Sequence, residues 1–353
     1  MSEHPAISHP QAPPGTTLMS AEMAEQPAVL ARLAERFEQL SEQVAGLNTG
    51  QVPGVAFVAR GSSDHAALLG RYAVELFTGL PTCLVAPSVT TAHAHHPTGF
   101  AGWLVVALSQ SGRTPEIVSL AREFRAVGAS VVGISNDGSS ELAHTADLSI
   151  DLAAGPERAV PATKTVTAQM LAVLAVAGGL GSPGLTGEQV RQIPDAVATV
   201  LADTAGITEL GAELAGPNRM AVVGRGFCYP AALETALKLQ ETSGVMAHGF
   251  STADFRHGPI AVCGPEAPAV LLAGSGPADQ DTAALRPELD RRGATSLLIG
   301  TEPAARVGWP ALGHAGECLL ATVRGQQLAL ARCQALGIDP DQPAGLSKVT
   351  LTH

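Results

Sequence analysis

The sequence predicts an α/β protein made of two consecutive domains, each a doubly wound parallel sheet flanked by helices. Apolar runs of strand length, without alternation, recur between stretches of helical spacing, as buried parallel strands do. Several of these runs end in small polar residues and glycine that lead into a helix. The same order of strand, loop and helix starts again near residue 220, so the chain reads as two copies of one plan.

Composition is consistent with this class. A chain of 353 residues is long enough for two cores, and 46% hydrophobic residues with a mean hydropathy of +0.20 indicate a globular protein. No apolar run reaches transmembrane length, and nothing before Met19 resembles a signal peptide. The net charge of −11 argues against nucleic acid and anionic membranes as partners. The five cysteines are odd in number and lack CxxC spacing, which favours a reducing cytoplasm.

The elements of the first half follow the order that a doubly wound sheet requires. Residues 1–16 are rich in proline and histidine and are predicted to be disordered, and N-terminal helices interrupted at Pro27 are expected over 17–50. The first domain is predicted over 51–185. Its strands are expected at 54–59, 83–86, 104–108, 130–135 and 148–152, and helices at 66–77 and 165–177.

The second half repeats this order after a linking helix, predicted over 186–212. The second domain is expected over 213–338, followed by a C-terminal tail over 339–353. Its strands are predicted at 220–223, 269–273 and 296–300, and helices at 229–243 and 317–335, with one more helix between the last two strands.

One loop stands out as a candidate anion site. The buried run Leu104–Leu108 ends in Ser109-Gln110-Ser111-Gly112, and Thr114-Pro115 is typical of a helix N-cap followed by proline. The positive end of a helix, lined by hydroxyls, binds anions such as phosphate. From composition alone an ordinary polar βα loop is the favoured interpretation, and the loop has no Walker lysine.

The loop SQSGRTPEIV resembles the phosphosugar loop of the SIS (sugar isomerase) domain family, and its SQSGR form resembles the amino-sugar-phosphate deaminase/isomerase branch. Four further motifs follow in the family's order: AVPATKTVTAQ, GRGFCYPAALETALKLQETSG, RHGP and DPDQPAGLSKVT. The resemblance extends from about Thr17 to the C-terminus. Over this range the chain resembles the isomerase half of glucosamine-6-phosphate synthase. It implies two tandem SIS domains, each an αβα sandwich.

On the predicted helix 229–243, Glu234, Lys238 and Glu241 are spaced i, i+4 and i+7 and therefore share one face. From spacing alone, a solvated stripe of ion pairs is the simpler interpretation. The resemblance implies instead that Glu241 transfers the proton between C1 and C2 of the sugar and that Lys238 lies beside it. Burial and a neighbouring ammonium would then tune the pKa of the carboxyl.

Two further residues take roles only through the resemblance. A lone histidine is more often structural, but His257 in RHGP corresponds to the histidine that opens the sugar ring from the partner subunit. This implies a homodimer. Lys348 in the tail corresponds to the lysine that forms the Schiff base with the open-chain ketose.

The remaining expectations concern cofactors, metals and the residues that hold the substrate. No cofactor and no metal are expected, because His93, His95 and His96 lack a carboxylate or cysteine at ligand spacing and are interpreted as solvated loop residues. The implied substrate- and phosphate-binding residues are Ser63, Ser109, Gln110, Ser111, Thr114 and Val160.

The function expected is that of an amino-sugar 6-phosphate isomerase/deaminase without a glutaminase domain, forming fructose 6-phosphate and ammonia from glucosamine 6-phosphate. Three departures from the family pattern, Gln240, His248 and Asp254, leave open a dehydratase acting on N-acetylglucosamine 6-phosphate by the same proton abstraction. A non-catalytic sugar-phosphate sensor is a third possibility, although it would not need Glu241, His257 and Lys348 together.

Overall fold

The computed structural model describes residues 16–47, 52–343 and 345–348. Within these ranges the chain forms two parallel sheets, of five and four strands, flanked by helices, which confirms the predicted fold class. The disorder predicted for the N-terminal segment falls on residues 1–15, outside the described part of the chain, apart from residue 16.

The sheet of the first domain has the order β2-β1-β3-β4-β5, so the first and third strands lie side by side at its centre. Both of these strands are fully buried, because their side chains are apolar in every position and helices cover both faces. The strands are β1 (Val55–Val58), β2 (Thr82–Leu84), β3 (Leu104–Leu108), β4 (Ser130–Ser135) and β5 (Leu148–Asp151).

The sheet of the second domain has the order β7-β6-β8-β9. Its edge strand β7 was not predicted, since the sequence MAHGFS mixes polar and apolar residues; in the structure Met246 and His248 are exposed while Ala247 and Gly249 are buried. The strands are β6 (Arg219–Gly224), β7 (Met246–Ser251), β8 (Ala269–Ala273) and β9 (Ser296–Gly300).

Each predicted helix is present, but the one expected between β8 and β9 is two short helices, Gln280–Ala283 and Arg286–Asp290. The short helices Ser88–Thr91, Glu141–Thr145 and Thr252–Arg256 were not predicted. Two longer helices also differ from the prediction. Helix α3 begins four residues earlier than predicted, which puts Ser62 and Ser63 in its first turn. The single linking helix is two helices, α8 (Gly187–Ala202) and α9 (Ala205–Glu213). The break lies at Asp203, whose backbone is extended and whose carbonyl and carboxylate both accept hydrogen bonds from Arg324 of α14 (His314–Leu336). The helices are α1 (Leu18–Ala24), α2 (Gln26–Ala45), α3 (Ser62–Thr78), α4 (Ser88–Thr91), α5 (Pro115–Ala126), α6 (Glu141–Thr145), α7 (Lys164–Gly179), α8 (Gly187–Ala202), α9 (Ala205–Glu213), α10 (Cys228–Ser243), α11 (Thr252–Arg256), α12 (Gln280–Ala283), α13 (Arg286–Asp290) and α14 (His314–Leu336).

The largest hydrophobic core runs through both domains. It joins Leu30 of α2 and Val173 of α7 to Leu239 of α10 and Leu319 of α14. Helix α7 is buried from residue 164 to residue 177 because it is apolar nearly all round. Helices α3 and α10, which each follow the first strand of their domain, pack against each other, so the two domains meet beside the ends of these strands. Among the described helices, none is both long and apolar enough to cross a membrane.

Candidate active site

A cavity of about 350 Å³ opens at the carboxyl ends of β1 and β3, where ligands bind in open parallel sheets. Its wall is assembled from distant parts of the chain: the loops after both strands, the segment before α7, helix α10 of the second domain and the C-terminal tail. Eight of the ten predicted site residues line it: Ser63, Ser109, Gln110, Ser111, Thr114, Val160, Glu241 and Lys348.

The loop after β3 forms the floor of the cavity. Ser109 Oγ lies 2.9 Å from Thr114 Oγ1 and accepts the N–H of Gly112 at 3.1 Å, while Ser111 Oγ accepts the N–H of Arg113 at 3.2 Å. The φ of Gly112 is +64°, and a Cβ there would collide with the Ser140 hydroxyl, so the turn requires glycine. The hydroxyls are thereby fixed at the N-terminus of the 12-residue helix α5, an arrangement suited to phosphate.

Arg60, at the end of β1, adds a cation to the cavity wall that the sequence analysis did not single out. Its Nε and Nη2 donate to the two carboxylate oxygens of Glu116 at 2.9 and 3.0 Å. Glu116 is buried in the first turn of α5, whereas the Arg60 side chain is 43% exposed. Its position directly after a predicted buried strand was the sequence signal that could have identified Arg60.

The three charged residues of α10 form a buried chain rather than a solvated stripe, so the interpretation from spacing alone is wrong. Glu234 and Lys238 are fully buried, and Lys238 Nζ lies 3.3 Å from Glu234 Oε1 and 3.1 Å from Ser62 Oγ. Lys238 also forms an ion pair with Glu241. His65 of α3, another residue that sequence reasoning missed, places Nδ1 2.6 Å from Glu234 Oε2.

These contacts set the protonation of Glu241 at the cavity and of Lys238 behind it. Burial raises the pKa of Glu241, and the ammonium group of Lys238 only partly opposes this. Burial would lower the pKa of Lys238, but the carboxylates of Glu234 and Glu241 outweigh it and raise that pKa. The Glu241 side chain is 20% exposed and lines the cavity, so a carboxylate with a raised pKa, suited to exchanging protons, faces the ligand space.

Lys348 is held by a residue that the sequence analysis did not name. Its Nζ lies 2.9 Å from Oε2 of Glu157, which is buried. Glu157 also accepts the N–H groups of Thr163 at 3.0 Å and Thr165 at 3.1 Å, and the Thr165 hydroxyl at 2.7 Å. Burial raises the pKa of Glu157, but Lys348 and these donors outweigh it, so the pKa is lowered. The tail amine is thus fixed at the cavity by a charged partner.

Two predicted catalytic residues do not line the cavity of a single chain. Lys238 lies directly behind Glu241. His257 follows helix α11, is exposed and is not among the cavity residues, so its delivery from a partner subunit stays a prediction.

The three departures from the family pattern also lie outside the cavity of one chain. Gln240 donates its side-chain amide to the carbonyl of Ala247, and the His248 ring lies 4.4 Å from that of Phe250. Asp254 accepts the Ser251 hydroxyl at 2.6 Å.

Within the described part of the chain, no histidine and no cysteine lines this cavity. His93, His95 and His96 are exposed, and His96 Nδ1 lies 2.7 Å from the carboxylate of Glu123. The five cysteines are free thiols, and all of them except Cys83 are buried.

Comparison with known proteins gives consistent matches. The family model of the SIS domain matches residues 52–178 and 213–307. The glutamine–fructose-6-phosphate aminotransferase (isomerizing) of Zymomonas mobilis is 31% identical over 360 residues, covering 94% of this chain and 58% of the relative. This chain therefore spans a little over half the length of that relative.

Solved structures match along nearly the whole chain. The tagatose-6-phosphate ketose/aldose isomerase of Escherichia coli superposes with a TM-score of 0.82 at 21% identity, covering 98% of both chains. The glucosamine-6-phosphate deaminase of Thermotoga maritima superposes with a TM-score of 0.72 at 22% identity, covering 95% of this chain and all of the other. These two similarities show the fold alone. Because the family model matches both halves of the chain, the chain belongs to the SIS domain family.

Proposed function

We propose that this chain is an amino-sugar 6-phosphate isomerase/deaminase that converts glucosamine 6-phosphate and water to fructose 6-phosphate and ammonia. The observation that carries the proposal is the meeting of Glu241, Lys348 and the hydroxyl loop 109–114 in one cavity of about 350 Å³. A phosphate anchor, a carboxylate base and an amine are the three groups that this reaction needs. The relatives named as isomerizing aminotransferases act on fructose 6-phosphate, the product proposed here.

The phosphate is bound by the loop after β3. The hydroxyls of Ser109, Ser111 and Thr114 donate hydrogen bonds to it at the positive end of α5. The chain has a net charge of −11, so attraction of an anion depends on these local donors and on Arg60. Anchoring at C6 directs the other end of the open-chain sugar towards Glu241.

Glu241 performs the isomerisation. Its carboxylate removes the proton from C2 of the open-chain aldehyde and returns a proton to C1, which converts the 2-amino aldose to a ketimine at C2. The raised pKa of Glu241 favours the return of this proton after the carboxylate has accepted it. Lys238 remains charged behind Glu241 and keeps a population of the carboxylate ionised.

Lys348 completes the reaction by exchange at C2. Its amine adds to the ketimine, ammonia leaves, and water then hydrolyses the resulting lysine imine to fructose 6-phosphate. The nitrogen released at this site is free ammonia in this proposal, and no second substrate is needed apart from water. Lys348 must lose a proton before it attacks, and the neighbouring carboxylate of Glu157 is positioned to orient it.

Ring opening is assigned to His257 of a second copy of the chain, which makes the active form a homodimer. His257 is exposed in one chain and outside the cavity. A second subunit that covers the cavity can bring this imidazole to the ring oxygen, and it can bring the neighbouring Asp254 with it.

The test is a product assay on the purified protein with glucosamine 6-phosphate and, separately, N-acetylglucosamine 6-phosphate. We expect ammonia and fructose 6-phosphate in equal amounts from the first, abolished in Glu241→Gln. An ultraviolet-absorbing product from the second substrate, without ammonia, would replace the deaminase by a dehydratase. Binding of both compounds without turnover would identify a sensor.

A further inference from the structure

Helix α1 is tied to the C-terminal tail that carries Lys348. The carboxylate of Asp341 accepts the N–H of Met19 at 2.8 Å and also that of Leu18. The Thr17 side chain accepts the third free N–H of the helix, that of Ser20, at 3.1 Å. Asp341 therefore replaces the missing hydrogen-bond acceptors of the first turn of α1, and α1 in turn fixes the tail.

The same helix is tied to the loop that precedes α7. Glu22 is 5% exposed, and its carboxylate accepts the N–H of Arg158 and, at 3.2 Å, the N–H of Ala159. Burial raises the pKa of Glu22, against the opposing effect of these donors. A buried carboxyl group bonded to two backbone amides of a loop fixes the path of that loop.

These two attachments converge on the cavity. Ala159 lies between Glu157 and Val160 in the sequence, and Asp341 precedes Lys348 by seven residues. Glu157 and Lys348 form the 2.9 Å ion pair at the cavity wall. Helix α1 thus holds both the loop that carries Glu157 and the tail that carries Lys348, although α1 itself does not line the cavity.

We propose that Asp341 and Glu22 are positioning residues, which act through helix α1 to hold Lys348 and the loop 156–163 at the reacting end of the substrate. What they position rests on the function proposed above. The hydroxyls proposed to bind phosphate lie in the loop 109–114, between β3 and α5, and neither Asp341 nor Glu22 bonds to that loop. Of the predicted substrate-binding residues, Val160 alone lies in the loop that Glu22 holds. Loss of either carboxylate therefore affects the reaction rather than the anchoring of the substrate.

The first test needs no substrate. Amide hydrogen exchange is measured on the full chain for Asp341→Ala, Glu22→Ala, the conservative variants Asp341→Asn and Glu22→Gln, and the control Glu42→Ala, an exposed glutamate on α2. We expect exchange at least about tenfold faster in peptides covering 18–20 and 345–348 for Asp341→Ala, and in peptides covering 157–160 for Glu22→Ala. The conservative variants retain an acceptor oxygen and fall between these values and the wild type.

The second test is turnover of glucosamine 6-phosphate. A displacement of about 1 Å at a reacting group lowers the rate by roughly 10- to 100-fold, so we expect kcat to fall by this factor in both alanine variants. KM is expected to stay within about twofold, because the phosphate anchor is unchanged. The conservative variants Asp341→Asn and Glu22→Gln are expected to recover part of kcat, and Glu42→Ala to match the wild type in both tests.

The outcomes separate this inference from the proposed function. Wild-type exchange in both alanine variants, or a parallel loss of kcat and of phosphate binding, would overturn the positioning role. If the wild type does not turn over the sugar phosphate, the proposed function fails, while faster exchange at the named peptides still supports the attachment of the tail and loop to α1.

Discussion

The two domains share one plan, but the loops after their equivalent strands β3 and β8 are used in opposite ways. In the first domain the loop after β3 lines a cavity with its hydroxyl residues Ser109, Ser111 and Thr114. In the second, Ser275 donates its N–H and its hydroxyl to the carboxylate of Glu317 at 2.7 and 2.6 Å, and Gly276 donates its N–H to Asp279 at 3.0 Å. In the second domain, carboxylates of the chain itself thus accept from a loop whose counterpart in the first domain we propose to bind phosphate.

The difference comes from one side chain in the first turn of α14. Glu317 is 1% exposed, and a Cβ on Gly274 would collide with its Oε2, so the loop is folded tightly around the carboxylate. An internal carboxylate satisfies the donors permanently, whereas an external phosphate does so only when bound. A strand–loop–helix unit can therefore bind an external anion only where no carboxylate of the same chain fills its loop.

The largest expected effect is on kcat, and it distinguishes Glu241, the proposed catalytic base, from Glu317, which fills the loop of the second domain. Glu241→Gln keeps the shape but removes the base, so kcat is expected to fall by at least about 100-fold. Glu317→Gln should keep kcat within about twofold and instead lower the free energy of unfolding by about 1–3 kcal/mol, because charge-assisted bonds to Ser275 are lost. Steady-state assays and denaturant unfolding measure the two, and a comparable loss of kcat in Glu317→Gln would break the comparison.

The next effect contrasts the serines of the two loops. Ser111→Ala removes a donor to the phosphate and is expected to raise KM for the sugar phosphate by about tenfold. Ser275→Ala removes the hydroxyl bond to Glu317 and should lower Tm by a few degrees while leaving KM unchanged. Unchanged binding of sugar phosphates by Ser111→Ala, measured by calorimetry, would show that the first loop is not the phosphate site.

A smaller effect concerns the pH dependence of the first domain. Glu241 must be ionised to accept the C2 proton, so kcat/KM is lost as pH falls through its raised pKa. The Lys238 ammonium lowers this pKa, and Lys238→Met should therefore move the acid limb to higher pH by about one unit or more. Lys164→Met, which removes another buried lysine paired with a glutamate, is the control and should leave the limb in place. If the acid limb of kcat/KM lies at the same pH in Lys238→Met as in the wild type, Lys238 does not control the pKa of Glu241.

The smallest effect tests the carboxyl cluster of the second domain. Burial raises the pKa of Asp279, and the neighbouring Glu317 raises it further. A group with a raised folded-state pKa loses stabilisation as pH rises above its unfolded value, so ionised Asp279 disfavours the fold at neutral pH. Asp279→Asn is expected to raise Tm by a few degrees at pH 7, an advantage that disappears near the ordinary pKa of an aspartate, about 3.9. A Tm that falls equally at both pH values would contradict this.

Elements that depend on one short segment could be predicted from the sequence, whereas elements that depend on distant contacts could not. Strands β3, β4, β8 and β9 were predicted to the residue, because a buried parallel strand is an uninterrupted apolar run. Strand β7 was missed, because an edge strand with one exposed face carries histidine and glycine among its few apolar residues. The break between α8 and α9 was missed because it depends on Arg324, more than a hundred residues away.

By itself the sequence determined the fold class, the position of the hydroxyl loop and the family, since these depend on residue spacing along short segments. Only the tertiary structure decided which charges are buried and what they meet: Glu234 and Lys238 inside, Glu157 against Lys348, and Glu317 in the second loop. Spacing specifies which side chains share a face of a helix, but not whether that face meets water or another helix. Burial and the nearest opposite charge set the pKa and accessibility of each group, and both come from segments that are distant in the chain.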